Sequence, residues 1–261
     1  MKHLLPENYR ILCTRPVEQN SKWAPKVAHL GCTVVEAPLL ELTAVTHADG
    51  INAIKQSIMA LDDYYGIIFV SQNAINYAFE WIEQYWPQLP YGIEWLAIGK
   101  KTGDLLQQRL GNLSQVQCAT DLMTSEDLLS LDVLHDVTGK KVLICRGLGG
   151  RPTLADELSV RGASVDLCEL YERKCPRDAH ETYAALTFDS YDILPIFSGE
   201  TLDNFFALAK KLNLPQWQSV QLITPSQRVS DIAKTYGFKH IITAANANEE
   251  NMLNCITALI P

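Results

Sequence analysis

No stretch of the sequence reaches about 18 uninterrupted apolar residues, so a membrane-spanning helix is not expected. The N-terminus, MKHLLPENYR, places Pro6 and Glu7 where a signal peptide needs its apolar core, and the expected location is the cytoplasm. The 7 cysteines are odd in number and none are spaced C-x-x-C. Several lie in apolar runs such as ILCTRP and VLICRG, which points to buried, inert thiols and not to disulfides. The 6 histidines include no H-x-x-x-H pair and none beside a cysteine at ligand spacing, so no metal site is expected. No cluster of Lys and Arg appears, and the net charge is −8, which argues against a general nucleic-acid binder. The turn GLGGR lacks the G-K-[ST] ending of a phosphate loop and the spacing of a dinucleotide fingerprint. A nucleotide-dependent enzyme is therefore disfavoured. No G-x-S-x-G elbow is present either.

What is present is an ordinary globular composition, 47% hydrophobic and 20% charged, in 261 residues, a length comfortable for two domains. The chain also repeats itself. ILCTRP leads through a helical stretch to HLGCTVVEAPLLEL; VLICRGLGGRP leads likewise to SVRGASVDLCELYERK. YGIIFVSQNAINYAF parallels YDILPIFSGETLDNFF, WLAIGKKTGDLLQQRLG parallels VQLITPSQRVSDIAKTYG, and TSEDLLSL parallels NEENMLNCI. Landmarks in one order at nearly one offset imply duplication, with a period too long for a solenoid.

Each half alternates short apolar runs, suited to strands covered on both faces, with stretches of helical period. After Ser71, the residues Ala74, Ala78, Trp81, Ile82 and Tyr85 fall on one stripe. Leu154, Ala155 and Leu158 do the same, with Gly162 placed to end that helix. Leu105, Leu106 and Leu110 stop at Gly111; Ile232, Ala233 and Tyr236 stop at Gly237. Pro25 is expected to kink or shorten the first helix. The fold class expected is α/β, in two similar doubly wound parallel-sheet domains.

In such sheets ligands collect beyond the carboxyl ends of the strands. Those ends carry Thr14 and Arg15; Ser71, Gln72 and Asn73; Gly99, Lys100 and Thr102. In the second repeat they carry Arg146, Gly147, Gly150 and Arg151; Ser198 and Gly199; Ser226 and Gln227. Ser, Thr and Asn are natural helix caps, and helix N-termini favour anions. Singly, each turn is what any α/β protein has. As a set, on two sheets, they suit a ligand with many carboxylates, and the Arg146 and Arg151 forks pair well with that chemistry. Tyr171, between Glu169 and Glu172, ends a strand where a phenol donates a hydrogen bond without carrying charge at neutral pH.

RGLGGRPTLADELSVRGASVDLCELYER resembles the second-repeat signature of the uroporphyrinogen-III synthase family. LCTRP, IIFVSQNAI and LAIGKKT resemble its first repeat, and FSGETLDNF and ITPSQRVSDIAKTYGF its second; TPSQR is looser than the glycine-containing turn of many members. The resemblance implies two α/β domains, residues 1–38 with 174–261 and residues 42–168. It also implies a two-stranded connector, 39–41 and 169–173, and an active-site cleft between the domains. The reaction implied is cyclisation of hydroxymethylbilane to uroporphyrinogen III, with loss of water and inversion of the last pyrrole ring, in heme biosynthesis. It further implies no cofactor, Tyr171 as the group assisting hydroxyl departure, and the strand-end turns as substrate-binding. A monomer is expected, with possible transient hand-over from hydroxymethylbilane synthase and no nucleic-acid or membrane partner. The alternative is a non-catalytic, two-lobed binding or sensory module for an anionic small molecule.

Overall fold

The computed structural model describes residues 9–119 and 124–259; the segment carrying Pro6 and Glu7 lies outside the described residues. The order is β1 (Arg10–Cys13), α1 (Val17–Ala28), β2 (Thr33–Glu36), β3 (Glu41–Ala44), α2 (Ala48–Met59), β4 (Gly66–Phe69) and α3 (Gln72–Tyr85). Next come β5 (Glu94–Ile98), α4 (Lys100–Leu110), β6 (Gln117–Ala119), α5 (Ser125–Leu129), β7 (Lys141–Gly147), α6 (Thr153–Val160) and β8 (Ser164–Lys174). The chain ends with α7 (Ala179–Ala184), β9 (Asp192–Pro195), α8 (Gly199–Leu212), β10 (Gln221–Thr224), α9 (Gln227–Tyr236), β11 (His240–Thr243) and α10 (Glu249–Thr257). No described helix is long and apolar enough to cross a membrane.

The chain forms two compact units. One takes the described residues through Leu42 and those from Lys174; the other is Thr43–Arg173. The first unit has a five-stranded sheet in the order β11-β10-β9-β1-β2, with every pair parallel. The sheet of the second runs β3-β8-β7-β4-β5-β6, parallel from β8 to β6. Each sheet mixes both repeats: β1 and β2 stand beside β9–β11, and β7 and β8 beside β4–β6. Apart from β3, equivalent strands stand in the same order in the two sheets, and the paths of the chain through them are circular permutations of one another.

Alternation along the strands builds both faces of the first sheet. Ile11, Ile193 and Ile223 pack on one side with Trp23 of α1 and Met252 of α10. Leu12, Leu194 and Leu222 pack on the other with Phe205 of α8 and Ala233 of α9. Successive strand side chains point to opposite faces, so both sides of a parallel sheet need helices. In the second unit, Ile68, Val142 and Ile144 meet Leu128 of α5 and Leu154 and Leu158 of α6.

Some local expectations shift. The first helix runs through Pro25 to Ala28, one turn longer than a break there allows. The buried stripe of α3 is Ala74, Ile75, Ala78, Phe79 and Ile82, because Phe79 reaches Phe69 of β4 at 6.3 Å. Trp81 and Tyr85 are left half-buried, stacked on each other. Leu105 is likewise half-buried. In α9 the buried residues are Val229, Ser230 and Ala233, while Ile232 and Tyr236 sit at the margin. None of the seven cysteines forms a disulfide, but only Cys13, Cys145 and Cys168 are buried; Cys32, Cys118, Cys175 and Cys255 are half-buried. Burial pushes the Cys13 thiol up to about 12.

One ion pair lies in the β1–β9 ladder, where Arg10 stands opposite Asp192. Arg10 Nε and Nη2 donate to the two carboxylate oxygens at 2.6 and 2.8 Å, and the Asp189 N–H adds a third bond at 2.9 Å. Asp192 is 1% exposed. The hydrogen bond to Asp192 raises the Arg10 pKa despite partial burial. Arg10→Met strands a buried carboxylate and is expected to cost about 3 kcal/mol, read from urea titration. Adding Asp192→Leu removes the orphaned charge and is expected to recover part of that loss.

Candidate functional site

In the first sheet the strand order reverses between β1 and β9, and in the second between β7 and β4. Loops that leave such neighbours diverge to opposite faces and open a crevice at the carboxyl edge. Both crevices hold residues singled out from the sequence.

In the second unit, β7 and β8 pair in register up to Arg146 opposite Glu169, and then Gly147 stands opposite Tyr171. The extra residue on β8 is a bulge. Leu170 and Tyr171 therefore are both fully buried although adjacent. Beyond the bulge the period of two puts Tyr171 and Arg173 on one side of the strand, while Glu169 precedes the break in alternation. Each serves this edge. The Glu169 carboxylate accepts the Gly149 N–H at 3.2 Å and holds the glycine turn, so that amide is already used. The Tyr171 ring stacks on Tyr77 of α3 at 5.2 Å and lies against Gly147, where an added Cβ would come within 2.7 Å of it. Its hydroxyl is 3.1 Å from Ser71 Oγ and receives a 3.3 Å bond from Arg173 Nη2. Ser71 caps α3 by accepting the Ala74 N–H at 3.1 Å.

A cavity of about 170 Å³ opens here, lined by Val70, Ile98, Arg146, Gly147, Arg151 and Arg173 among others. Arg146 is only 6% exposed. Its Nη1 donates to the Arg151 carbonyl at 3.1 Å, and its guanidinium lies where a side chain on Gly150 would stand, 1.8 Å from an added Cβ. Arg151 and Arg173 are exposed. Three guanidiniums around one hollow suit carboxylates. The neighbouring turns are more occupied. Gln72 bonds the Lys101 carbonyl, Lys100 pairs with Asp104 at 2.8 Å on the surface, Thr102 is buried in α4, and Gly99 caps that helix. Asn73 is half-buried at the start of α3.

In the first unit, Thr14 is buried, and its hydroxyl donates to the Pro195 carbonyl at 2.7 Å, tying β1 to β9. Arg15 lies over Phe197 at 4.5 Å, bonds Gln19 at 3.0 Å and pairs with Glu249 of α10 at 2.5 Å. Lys26 shares that carboxylate. Burial favours the neutral acid, but bonds from Lys26 and Arg15 and their charges overcome it and hold Glu249 below its usual range. The Arg15 guanidinium is thus already paired. Ser198 and Ser226 cap α8 and α9. Gln227 bonds Asp231 at 2.8 Å. Arg228 brings its guanidinium to Gly199, 3.8 Å from an added Cβ.

Sequence reasoning passed over Arg173, Arg228 and Glu249. Arg173 was accessible to it: two residues after Tyr171 on a strand means the same face. Glu249 carried no local signal, since it meets Arg15 across most of the chain. Among the described residues, no group of three or more His, Cys, Asp and Glu is placed to hold a metal ion.

The family model described as uroporphyrinogen-III synthase HemD matches residues 21–254. The chain is 28% identical over 257 residues to the uroporphyrinogen-III synthase of Escherichia coli, covering 94% of this chain and 99% of that one. It is 34% identical over 167 residues to that of Proteus mirabilis, covering 62% and 79%. Crystal structures of uroporphyrinogen III synthase from Thermus thermophilus (a mutant form) and of the Helicobacter pylori synthetase each superpose with TM-score 0.61 at 15% identity. They cover 96% of this chain and 98% and 99% of theirs.

The two close-approach glycines should respond differently to a methyl group. Gly147→Ala drives into a ring already walled by Tyr77 and is expected to cost about 1–3 kcal/mol. Gly150→Ala meets the mobile end of Arg146 and is expected to cost less. Paired urea titrations of the two variants check the difference.

Proposed function

The chain belongs to the uroporphyrinogen-III synthase family, and we propose that its strand-end turns fold and close hydroxymethylbilane. It is a lyase of tetrapyrrole biosynthesis. The family's substrate is a linear tetrapyrrole fringed with carboxylates. Closure loses water and inverts the last ring, whereas the unaided chain closes without inversion. The protein's first task is therefore orientation, holding the terminal ring so that its substituted carbon attacks.

The family match over residues 21–254 carries this reading. The hollow lined by Arg146, Arg151 and Arg173 supports it as a place for substrate carboxylates. The caps Ser71, Ser198 and Ser226 stand at helix starts whose first N–H groups have no partner within the helix. Gly199 carries no side chain to block approach there, whereas Gly147 and Gly150 make room for Tyr171 and Arg146. Those N–H groups would add neutral donors, which is how a chain of net charge −8 takes up a polyanion. Tyr171 assists departure of the substrate hydroxyl. The enzyme works as a cytoplasmic monomer, receiving its unstable substrate from hydroxymethylbilane synthase.

Incubation with freshly generated hydroxymethylbilane, followed by oxidation and isomer analysis, is expected to give type III product. Type I product matching the enzyme-free control would overturn the reading, and would leave a binding or sensory module as the alternative. Arg146→Ala is expected to raise KM about 10- to 100-fold, the loss of a charge-assisted contact worth about 1.5–3 kcal/mol. Arg109→Ala removes an exposed pair with Glu83 and a cation–π contact with Phe79, lines no part of the hollow, and is the control, with KM expected to stay within about twofold. Arg161 is a poor control, because its guanidinium holds the Leu129 and Leu134 carbonyls at 2.7 and 3.0 Å.

A further inference from the structure

Tyr171 has no exposed surface, while Ser71, whose oxygen lies 3.1 Å from its hydroxyl, is half-buried. Counting donors gives the direction of that bond. Arg173 Nη2 donates to the phenol oxygen at 3.3 Å, and a guanidinium accepts nothing. Among the described residues the phenolic proton therefore has one acceptor, Ser71 Oγ. If Ser71 donated instead, a buried O–H would lack any partner among the described residues. Ser71 Oγ also takes the Ala74 N–H at 3.1 Å. With both lone pairs engaged, its own proton is directed away from Tyr171.

We propose that Ser71 is the side chain that gives a proton to the departing hydroxyl, with Tyr171 supplying it from behind and Arg173 holding the charge left on the phenol. This rests on the reading that Tyr171 assists hydroxyl departure, and it says how a fully buried phenol does so. In the step, the carbon–oxygen bond breaks with both electrons going to oxygen. That oxygen takes the Ser71 proton and leaves as water, and Ser71 takes the Tyr171 proton. The substrate becomes an azafulvenium-like cation and the phenolate faces the Arg173 guanidinium, whose carbon lies 5.6 Å from the ring centroid. The proton released when the closed macrocycle regains aromaticity returns by the same path, so protons balance. Tyr171 and Arg173 are positioning residues in this scheme, and their sequence separation from Ser71 is spanned by the β4–β7–β8 ladder.

The test uses the whole enzyme with hydroxymethylbilane generated in the assay, following the rate of type III formation, its pH profile and the melting temperature. Tyr171→Phe and Ser71→Ala are each expected to lower kcat about 100-fold with little change in KM. The double variant is expected to fall no further than the worse single one, because both cut one path. Ser71→Thr keeps the hydroxyl and the helix cap, and is expected to restore much of what Ser71→Ala loses. This separates proton supply from the stability lost with the cap. Arg173→Gln is expected to shift the pH profile of kcat, with Arg173→Lys partly restoring it. If Tyr171→Phe lowers kcat while Ser71→Ala stays near the parent, or if the two losses multiply, the relay is overturned and the role of Tyr171 stands. If Tyr171→Phe leaves kcat unchanged, both fall.

Discussion

The close approach of Tyr171 to Gly147 is the constraint on which the second unit's site depends. Only a residue without a side chain leaves room for the ring. The bulge that sets Gly147 opposite Tyr171 then fixes where the next side chains of β8 point. It turns Tyr171 inward against Tyr77 and sets its hydroxyl beside the cap of α3. It also leaves Glu169 able to hold the glycine turn and Arg173 able to reach the phenol. A strand in regular register would have put Leu170, not Tyr171, opposite Gly147.

The two sheets show how a duplicated sequence makes two units without each repeat forming its own. A parallel sheet is closed on both faces only when enough strands stand side by side, and each unit takes strands from both repeats to do this. The repeats thereby place equivalent turns at equivalent edges. Thr14 and Arg15 follow β1, Arg146 and Gly147 close β7, and the neighbouring strands β9 and β4 lead to Ser198 and Ser71 respectively. The chemistry of the two edges has nonetheless diverged. Arg15 is held by Glu249, whereas Arg146 packs on Gly150 and faces a hollow with two further arginines. The second unit is accordingly the better place for anion recognition by arginine. In the first, Arg228 beside Gly199 is the nearest counterpart.

Much was determined by the sequence alone. The strand–helix alternation, the duplicated landmarks, the serine caps at positions 71, 198 and 226, and the family resemblance were all legible in it, because local period, capping and turn chemistry are encoded within a few residues. Partnerships were not. That Arg15 is neutralised by a carboxylate near the other end of the chain, that Glu169 consumes a turn amide, and that Phe79 displaces Trp81 from the core are decisions of packing. Above all, the sequence marked Tyr171 and Ser71 as separate candidates. Only the ladder that sets β8 beside β7 and β7 beside β4 brought their oxygens to 3.1 Å, because contact between residues distant in the chain is set by strand order and register.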